Sequence, residues 1–465
     1  MTRSLADLLF RPRSVLVYGA SSDPDKLSGR PLDYLKKFGF GGTIHAVNPR
    51  RSQVQGVRAY ADVADVPGPV DLAVIVVPAD SVIDAVRRCA AAGVGAAIVF
   101  ASGFAEIGEA GEPLQDELRA AAGEMRLVGP NCLGTFSLGS RAFATFSTAF
   151  DDAEGEVPES PIALVTQSGA VGTFTFTTMN ALGLGVRYFA NTGNECDVGV
   201  VEVLRSLVDA PDVDVLLGHL EGIRDPAAIE ELARAAAAAD KPLVLLKAGR
   251  TAAGARAVAA HTGSVAGDDA WFSAVLAEHS AHRVRSMEEL ADTALALVSG
   301  RRPHGPRLTV VTQSGGAGAL ASDAAVDRGL VVESWAGSDR EKVAALLPYF
   351  GSTANPIDCT GALINDTAIL ERTLDVVCNN DETDAVLVVL GNCDRSAGPM
   401  IAAIVGAYKT TTKPFHVSWT GGSGQPRRDL LAAGVPTYAD PERAVRTLGH
   451  LVDRSLRRTV SAAGT

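Results

Sequence analysis

Residues 163–172 read ALVTQSGAVG, and residues 309–318 read TVVTQSGGAG. Each is an apolar run ending in Thr-Gln-Ser-Gly, followed by small residues that suit the opening of a helix. The run Val-Thr-Gln-Ser-Gly sits at equivalent places in two strand–helix junctions, so the chain carries an internal repeat. Two blocks with one opening predict two related α/β domains.

Outward from each junction the same rhythm continues: a short β-branched run, then a longer Ala/Leu-rich amphipathic segment. Around the first copy, strands are predicted at Ile162 to Val165, Val213 to Leu217 and Leu243 to Leu246. Around the second they are predicted at Leu308 to Val311, Ala385 to Leu390 and Phe415 to Ser418. Toward the N-terminus a further block shows strands at Val15 to Gly19, Thr43 to Val47, Leu72 to Val77, Ala97 to Phe100 and Arg126 to Val128. Helical patterns at Pro31 to Phe38 and Val82 to Ala92 fall between them. Continuous apolar strands alternating with helices mean parallel sheets covered on both faces. The fold class is therefore α/β: a doubly wound, Rossmann-like domain over 1–150, then two flavodoxin-like domains over 158–300 and 306–465. The acidic stretch Asp151 to Glu159 and the RRPHGPR stretch Arg301 to Arg307 read as linkers.

A length of 465 residues suits about three domains. With 47% hydrophobic and 21% charged residues the composition is globular, and 47 glycines mean frequent turns. The net charge of −12 argues against a general affinity for nucleic acid or an anionic membrane. A small basic pocket for a phosphorylated ligand stays compatible with it. Cys89, Cys132, Cys196, Cys359, Cys378 and Cys393 form no CxxC pair, so no zinc or thioredoxin-type motif is read, and a metal site is not expected. Few, scattered cysteines fit a reducing cytoplasm. The N-terminal residues show no apolar stretch with a cleavage site, and no run reaches the ~18–20 apolar residues of a membrane helix.

Several strand ends carry candidate chemistry. The loop Gly19-Ala20-Ser21-Ser22-Asp23-Pro24-Asp25-Lys26-Leu27-Ser28-Gly29 lies between a strand and a helix. Small residues there let backbone N–H groups approach a phosphate, although the loop matches neither GxGxxG nor a Walker A pattern. A tight turn without a ligand is the plain alternative. His45 to Arg51 ends the second strand, where Arg50 or Arg51 is placed to grip a ribose phosphate or to form a solvated surface pair. Gly129-Pro130-Asn131-Cys132-Leu133-Gly134 follows the fifth strand and by itself is only a turn. His261 stands within Lys247 to Gly267, a segment of small residues that favours a loop over an amphipathic core helix. A neutral imidazole is a competent nucleophile toward phosphorus, and a carboxylate on its other nitrogen would fix the tautomer. By itself a lone histidine is more often structural. Ser168 and Gly169 open a helix, where N–H groups suit a phosphate.

Taken together, these motifs resemble the nucleoside-diphosphate-forming acyl-CoA synthetases, a family that includes succinyl-CoA synthetase and ADP-forming acetyl-CoA synthetase. The resemblance runs in matching order through nearly the whole chain and is closest to the α subunit of the acetyl type. GASSDPDKLSG is similar to the family's CoA phosphate loop, which assigns CoA contacts to Gly19, Ala20, Ser21, Ser22 and Lys26. HAVNPR resembles a VNPK segment with Arg50 at the Lys position. SGFAE, from Ser102, and GPNCLG, with Asn131 and Cys132, resemble two further CoA-contacting stretches. VTQSGAVG resembles the phosphate loop of the second domain, with Ser168 and Gly169 as phosphate-binding residues. The segment ending in HTGSVAG resembles the one bearing a phosphorylated histidine, here His261. LEGIRD resembles the one whose glutamate orients that histidine, here Glu221. Residues just after the second phosphate loop, Val171 to Phe174, then face the acyl group. Thr173 stands near the place where the succinate enzymes carry tyrosine.

The resemblance implies that CoA binds this chain and that ATP, ADP and Mg belong to an ATP-grasp domain. None follows Ala439 to Asp453 before Thr465, so a separate ATP-grasp β-type subunit is the expected partner. A small carboxylic acid is the expected substrate, and a dimer of this chain within a heteromer the expected assembly. Two other classes fit part of the pattern: a CoA transferase that never meets ATP, and a non-catalytic CoA-responsive module. His261, Glu221 and the VTQSG loop count against the module, because a sensor needs none of them. An NAD(P) enzyme is a third reading, lacking its GxGxxG.

Overall fold

The computed structural model describes residues 3–154, 159–262 and 267–463. Each block forms the predicted kind of sheet. The first contains β1 (Ser14–Tyr18), β2 (Thr43–Val47), β3 (Gln53–Val54), β4 (Val57–Tyr60), β5 (Leu72–Ile75), β6 (Ala96–Val99) and β7 (Arg126–Val128). Their order is β3-β4-β2-β1-β5-β6-β7, parallel except for β3. Residues of β1, β5 and β6 are buried along nearly their full length, as strands covered on both faces must be.

The second sheet contains β8 (Gly134–Ser137), β9 (Ala142–Thr145), β10 (Ile162–Thr166), β11 (Tyr188–Asn191), β12 (Val215–Leu220), β13 (Leu243–Lys247) and β14 (His282–Val284). Its order is β14-β13-β12-β10-β11-β8-β9. This differs from the boundary expected at residue 150, because the hairpin β8–β9 pairs antiparallel onto β11 and belongs to the second sheet. The reason is aromatic packing. Phe136 lies 5.0 Å from Phe143 and 5.4 Å from Phe189, and Phe150 lies 4.9 Å from Phe176, ring centre to ring centre. Offset and edge-on aromatic pairs of this kind add to simple area burial. Both sheets share one compact unit, Met1–Leu290, with a common apolar core.

The other unit is Ala291–Thr465. Its sheet contains β15 (Leu308–Thr312), β16 (Ile357–Asp358), β17 (Ala385–Gly391), β18 (Phe415–Thr420) and β19 (Thr437–Tyr438), all parallel in the order β16-β15-β17-β18-β19. The division falls before the expected linker at Arg301 to Arg307, inside the helix Met287–Val298. Asp292 on that helix is fully buried and accepts two 2.8 Å bonds from Arg443, with Arg446 at 3.3 Å. Both arginines lie on the helix Pro441–Ala463, so a buried ion cluster assigns this part of the helix to the C-terminal unit. No helix among the described residues is long and apolar enough to cross a membrane.

Removing one partner of a buried ion cluster strands the others. Asp292→Ala should therefore destabilise the C-terminal unit by about 3–5 kcal/mol. Urea unfolding followed by circular dichroism would measure it, and a loss below ~1 kcal/mol, the surface-pair range, would contradict the account.

Candidate active site

The repeated motif folds as two copies of one device. At the end of β10, Ser168 caps the helix Gly169–Ala181, its hydroxyl accepting from Val171 N–H. At the end of β15, Ser314 caps the helix Gly315–Asp327 by accepting from Ala317 N–H. Serine leads at such positions because it satisfies one of the orphan donors of the first turn. Gly169 and Ala170 begin the helix, where N–H groups have no intrahelical partner and the positive end of the helix dipole lies. That is an anion site in form.

Around it stand the other predicted catalytic groups. Glu221 follows β12 directly and is 9% exposed. Burial pushes its pKa above the ordinary glutamate range, while the charge of nearby His261 and the Ser168 hydroxyl pull it back. Glu221, His261 and Ser168 are thus brought together. His261 is exposed in the last turn of the helix Ala252–Thr262. A loop was expected here, and the structure shows a helix. The alanines of this stretch, read as loop-forming small residues, have the strongest intrinsic helix propensity of any residue. Gly263 to Ala266 lie outside the described residues. Beyond them, Asp268 caps the helix Asp269–Glu278. Asp269 is held by Arg283 and by Lys247, whose side chain is wholly buried with Nζ 3.7 Å away. Both ends of the histidine segment are therefore anchored to the second sheet.

The loop Gly19 to Gly29 is shaped by its own backbone. Gly19 has φ +93°, and a Cβ at Gly29 would overlap Asp23 O. Ser21 N–H donates to Ser28 O at 3.1 Å, closing the loop. Gln55 Nε2 donates to Ser21 O and Gly29 O at 2.9 and 3.0 Å, and Asn48 Nδ2 to Ala20 O at 3.0 Å. Ala20 is buried, whereas Ser22 and Lys26 face solvent. Arg50 and Arg51 are exposed beside this loop, with Arg50 N–H donating to Asn48 Oδ1 at 2.9 Å. The loop thus combines small residues and outward hydroxyls with Lys26, 3.9 Å from Asp23, and the exposed Arg50 and Arg51. Ser102 is exposed on the segment following β6. Asn131 is exposed with φ +58°. Cys132 is only 3% exposed, donates to Val99 O at 3.3 Å, and has a thiol that burial pushes up to about 12. Any contact it makes with a ligand is through its backbone. Thr173 donates its hydroxyl back to Gly169 O and Ala170 O, and Phe174 beside it is 57% exposed. Among the described residues no cluster of His, Cys, Asp or Glu suited to a metal is found.

Sequence reasoning missed the turn Asn191–Cys196, which follows β11. Asn191 donates to Thr166 O and Gln167 O and accepts from Leu133 N–H at 2.7 Å. Asn194 N–H donates to Pro130 O and Cys196 N–H to Gly129 O, both at 3.0 Å. Asn194 also accepts from Asn131 Nδ2 and donates to Glu106, a residue of the SGFAE segment. Arg224 of the LEGIRD segment donates to Asn194 O at 2.7 Å and to Glu195 O. One turn therefore joins the phosphate loop, both CoA-type segments and the segment of Glu221. Its Asn-Thr-Gly-Asn composition at a strand end was the available signal.

Comparison with known proteins agrees with this arrangement. Residues 13–137 match the CoA binding domain family, 159–297 the succinyl-CoA ligase like flavodoxin domain, and 308–409 the ligase-CoA domain. The α subunit of acetate–CoA ligase [ADP-forming] I from Pyrococcus furiosus is 31% identical over 461 residues, covering 96% of each chain. Trans-feruloyl-CoA synthase FCS1, from an unknown prokaryotic organism, is 32% identical over 472 residues, and the chain spans 66% of its length. The solved acetyl-coenzyme A synthetase 1 of Ca. Korarchaeum cryptofilum, in complex with phosphate and ADP, superposes with TM-score 0.89 at 31% identity over 99% of both chains. With its three domains matched in order and a relative aligned along nearly all of both lengths, the chain belongs to the family of ADP-forming acyl-CoA ligases represented by the acetate–CoA ligase α subunits.

Proposed function

We propose that this chain is the CoA-binding, phosphohistidine-carrying subunit of an NDP-forming acyl-CoA synthetase, working with a separate ATP-grasp subunit that holds ATP and Mg. The observation that carries the reading is the meeting of His261, Glu221 and the Ser168-capped helix start beside the CoA-type segments. Glu221 accepts from one imidazole nitrogen and leaves the other as nucleophile. That nitrogen attacks the γ-phosphorus of ATP, the bond to the β–γ bridging oxygen breaks, and ADP leaves. Ser168 and the N–H groups of Gly169 and Ala170 hold the transferred phosphoryl group. A carboxylate oxygen of the acid then takes the phosphorus, breaking the P–N bond and forming an acyl phosphate. The CoA thiolate attacks the acyl carbon, and phosphate departs with the C–O electron pair. Each step asks the chain for position and charge stabilisation.

The loop Gly19 to Gly29, Arg50, Ser102 and the backbone of Asn131 and Cys132 take CoA. Thr173 and Phe174 stand where the acid enters beside the phosphate loop. The helix N-terminus supplies donors for one phosphoryl group or one carboxylate. A monocarboxylic acid suits the site better than a dicarboxylate.

The primary test supplies γ-labelled ATP to the chain together with its ATP-grasp subunit. Acid-labile, base-stable label should appear on wild type and be absent from His261→Ala. An unlabelled wild type, with a partner shown to bind ATP, would overturn the reading. The pH dependence follows from Glu221. Its folded pKa lies above the ordinary 4.5, and only the anion supports the imidazole. The labelling rate should therefore fall on acidification with a midpoint above pH 4.5. Glu221→Gln should slow labelling on the order of 10²-fold or more at neutral pH. For Arg50, the Ala variant should weaken CoA binding about 10-fold while leaving 3′-dephospho-CoA unchanged, as judged by calorimetry. Equal losses for both ligands would remove Arg50 from the 3′-phosphate.

A further inference from the structure

Gln167 and Glu195 form a buried pair whose geometry the steps above do not use. Both side chains are 8% exposed. Gln167 separates the last residue of β10 from the phosphate-site Ser168. At one end of its amide two backbone N–H groups arrive, those of Glu221 and of Gly222, the latter at 3.1 Å. Two donors require an oxygen there. At the other end lie a Glu195 carboxylate oxygen at 2.7 Å and Gly222 O at 3.5 Å. Two acceptors require the NH2 there. The amide thus has one satisfied orientation, and its reversal would break every one of these bonds.

Glu195 is what selects that orientation. Its Oε1 is occupied by Val200 N–H and the Thr192 hydroxyl, both at 2.8 Å, so Oε2 is left for Gln167. Three donors converge on it, and its backbone carbonyl is gripped by the Arg224 guanidinium. The chain of contacts runs from Glu195 to the Gln167 NH2, from the Gln167 oxygen to the Glu221 N–H, and from Glu221 to His261. Glu195 touches neither His261 nor the anion site. It acts two bonds away, through the backbone of the residue that does.

We propose that Glu195, through the orientation of the Gln167 amide, is the positioning residue that sets the Glu221 carboxylate against His261. This rests on the phosphohistidine reading. In Glu195→Gln an NH2 faces the NH2 of Gln167, so the amide turns over and abandons the Glu221 and Gly222 N–H groups. In Gln167→Glu two buried carboxylates face each other. The double exchange Glu195→Gln/Gln167→Glu restores the bond between the pair with its polarity reversed and both backbone N–H bonds, and loses only the 3.5 Å contact to Gly222 O. The residue-195 amide then donates to the residue-167 carboxylate, which accepts both backbone N–H groups.

The experiment measures the rate of labelling from γ-labelled ATP in the full complex, with thermal unfolding of each variant alongside. Each single variant should be slowed at least about 10-fold, and the double exchange should return to within a few-fold of wild type. Thr192→Val removes a bond from Glu195 without touching its contact to Gln167. It should lower the unfolding temperature and leave the labelling rate near wild type. If Glu195→Gln labels at the wild-type rate, the inference fails. It fails also if the folded double exchange stays as slow as the single variants, or if Thr192→Val is slowed as much as they are. Where the single variants do not fold, the double exchange and Thr192→Val decide by the same criteria. A wild-type chain that takes no label removes the phosphohistidine reading and this inference with it. Label on wild type with unslowed Glu195→Gln removes this inference alone.

Discussion

The site depends on one close approach. A Cβ at Gly193 would overlap Pro130 O and Asn131 O, and its φ of +57° is a conformation that other residues adopt only under strain. Glycine there lets the turn after β11 sit directly on the segment after β7. Once seated, Asn191, Asn194 and Glu195 each reach a different loop, and all of those loops lie at the carboxyl ends of parallel strands. Parallel sheets gather their functional loops at that end, but short strands and mobile turns do not by themselves bring two sheets into register. Here a few buried side-chain amides do so, and amides are suited to the task because each carries donor and acceptor at fixed separation.

Most of this fold was legible from local pattern. The runs at Thr43–Val47 and Arg126–Val128 were read to their exact ends, and the central strands β1, β5, β10, β13, β15, β17 and β18 within a residue or two. These strands are continuous apolar runs because both of their faces are covered, and that constraint writes itself into the sequence. Eight strands were not read: β3, β16 and β19 are two residues long, β4, β11 and β14 have three or four residues and no continuous β-branched run, and β8 and β9 are small alternating segments whose pairing comes from phenylalanines far along the chain. Their existence is a tertiary fact. The same holds for the site. His261, Glu221 and Ser168 could be named as candidates because they sit in recognisable motifs. The Glu195–Gln167 pair could not, since its meaning lies in which atoms of an amide face which atoms of a distant backbone.

The repeat shows how one scaffold yields unequal sites. Gln167 N–H pairs with His219 O, and Gln313 N–H pairs with Val389 O, so the two junctions are in the same register against the next strand. Two residues beyond His219 stands Glu221, and two residues beyond Val389 stands Gly391. The capping serine, the glycine and the glutamine are all present in the C-terminal copy, yet the carboxylate is not. There Gln313 donates to Gly391 O, and its own oxygen has no partner among the described residues. The strand–turn–helix junction is therefore structural currency common to both copies, and the chemistry resides in what the neighbouring strand delivers to it.

A carboxylate beside the proposed phosphoryl site needs a physical justification, for it would repel the group that such a site holds. The chain is already acidic overall, with a net charge of −12, so no general field draws anions in. Attraction must come from dipoles fixed at short range: the first-turn N–H groups of the helix Gly169–Ala181 on one side and the imidazole on the other. Burial makes the placement of Glu221 more demanding still. In a poorly solvated position its charge is costly, as the upward pull on its pKa shows, and the cost is offset chiefly when His261 is cationic beside it. Glu221 therefore gains most when His261 stands close beside it and least when that side chain is displaced. That dependence explains why its backbone is fixed so thoroughly. A carboxylate whose worth changes with each ångström of separation from one exposed side chain must not itself be free to move.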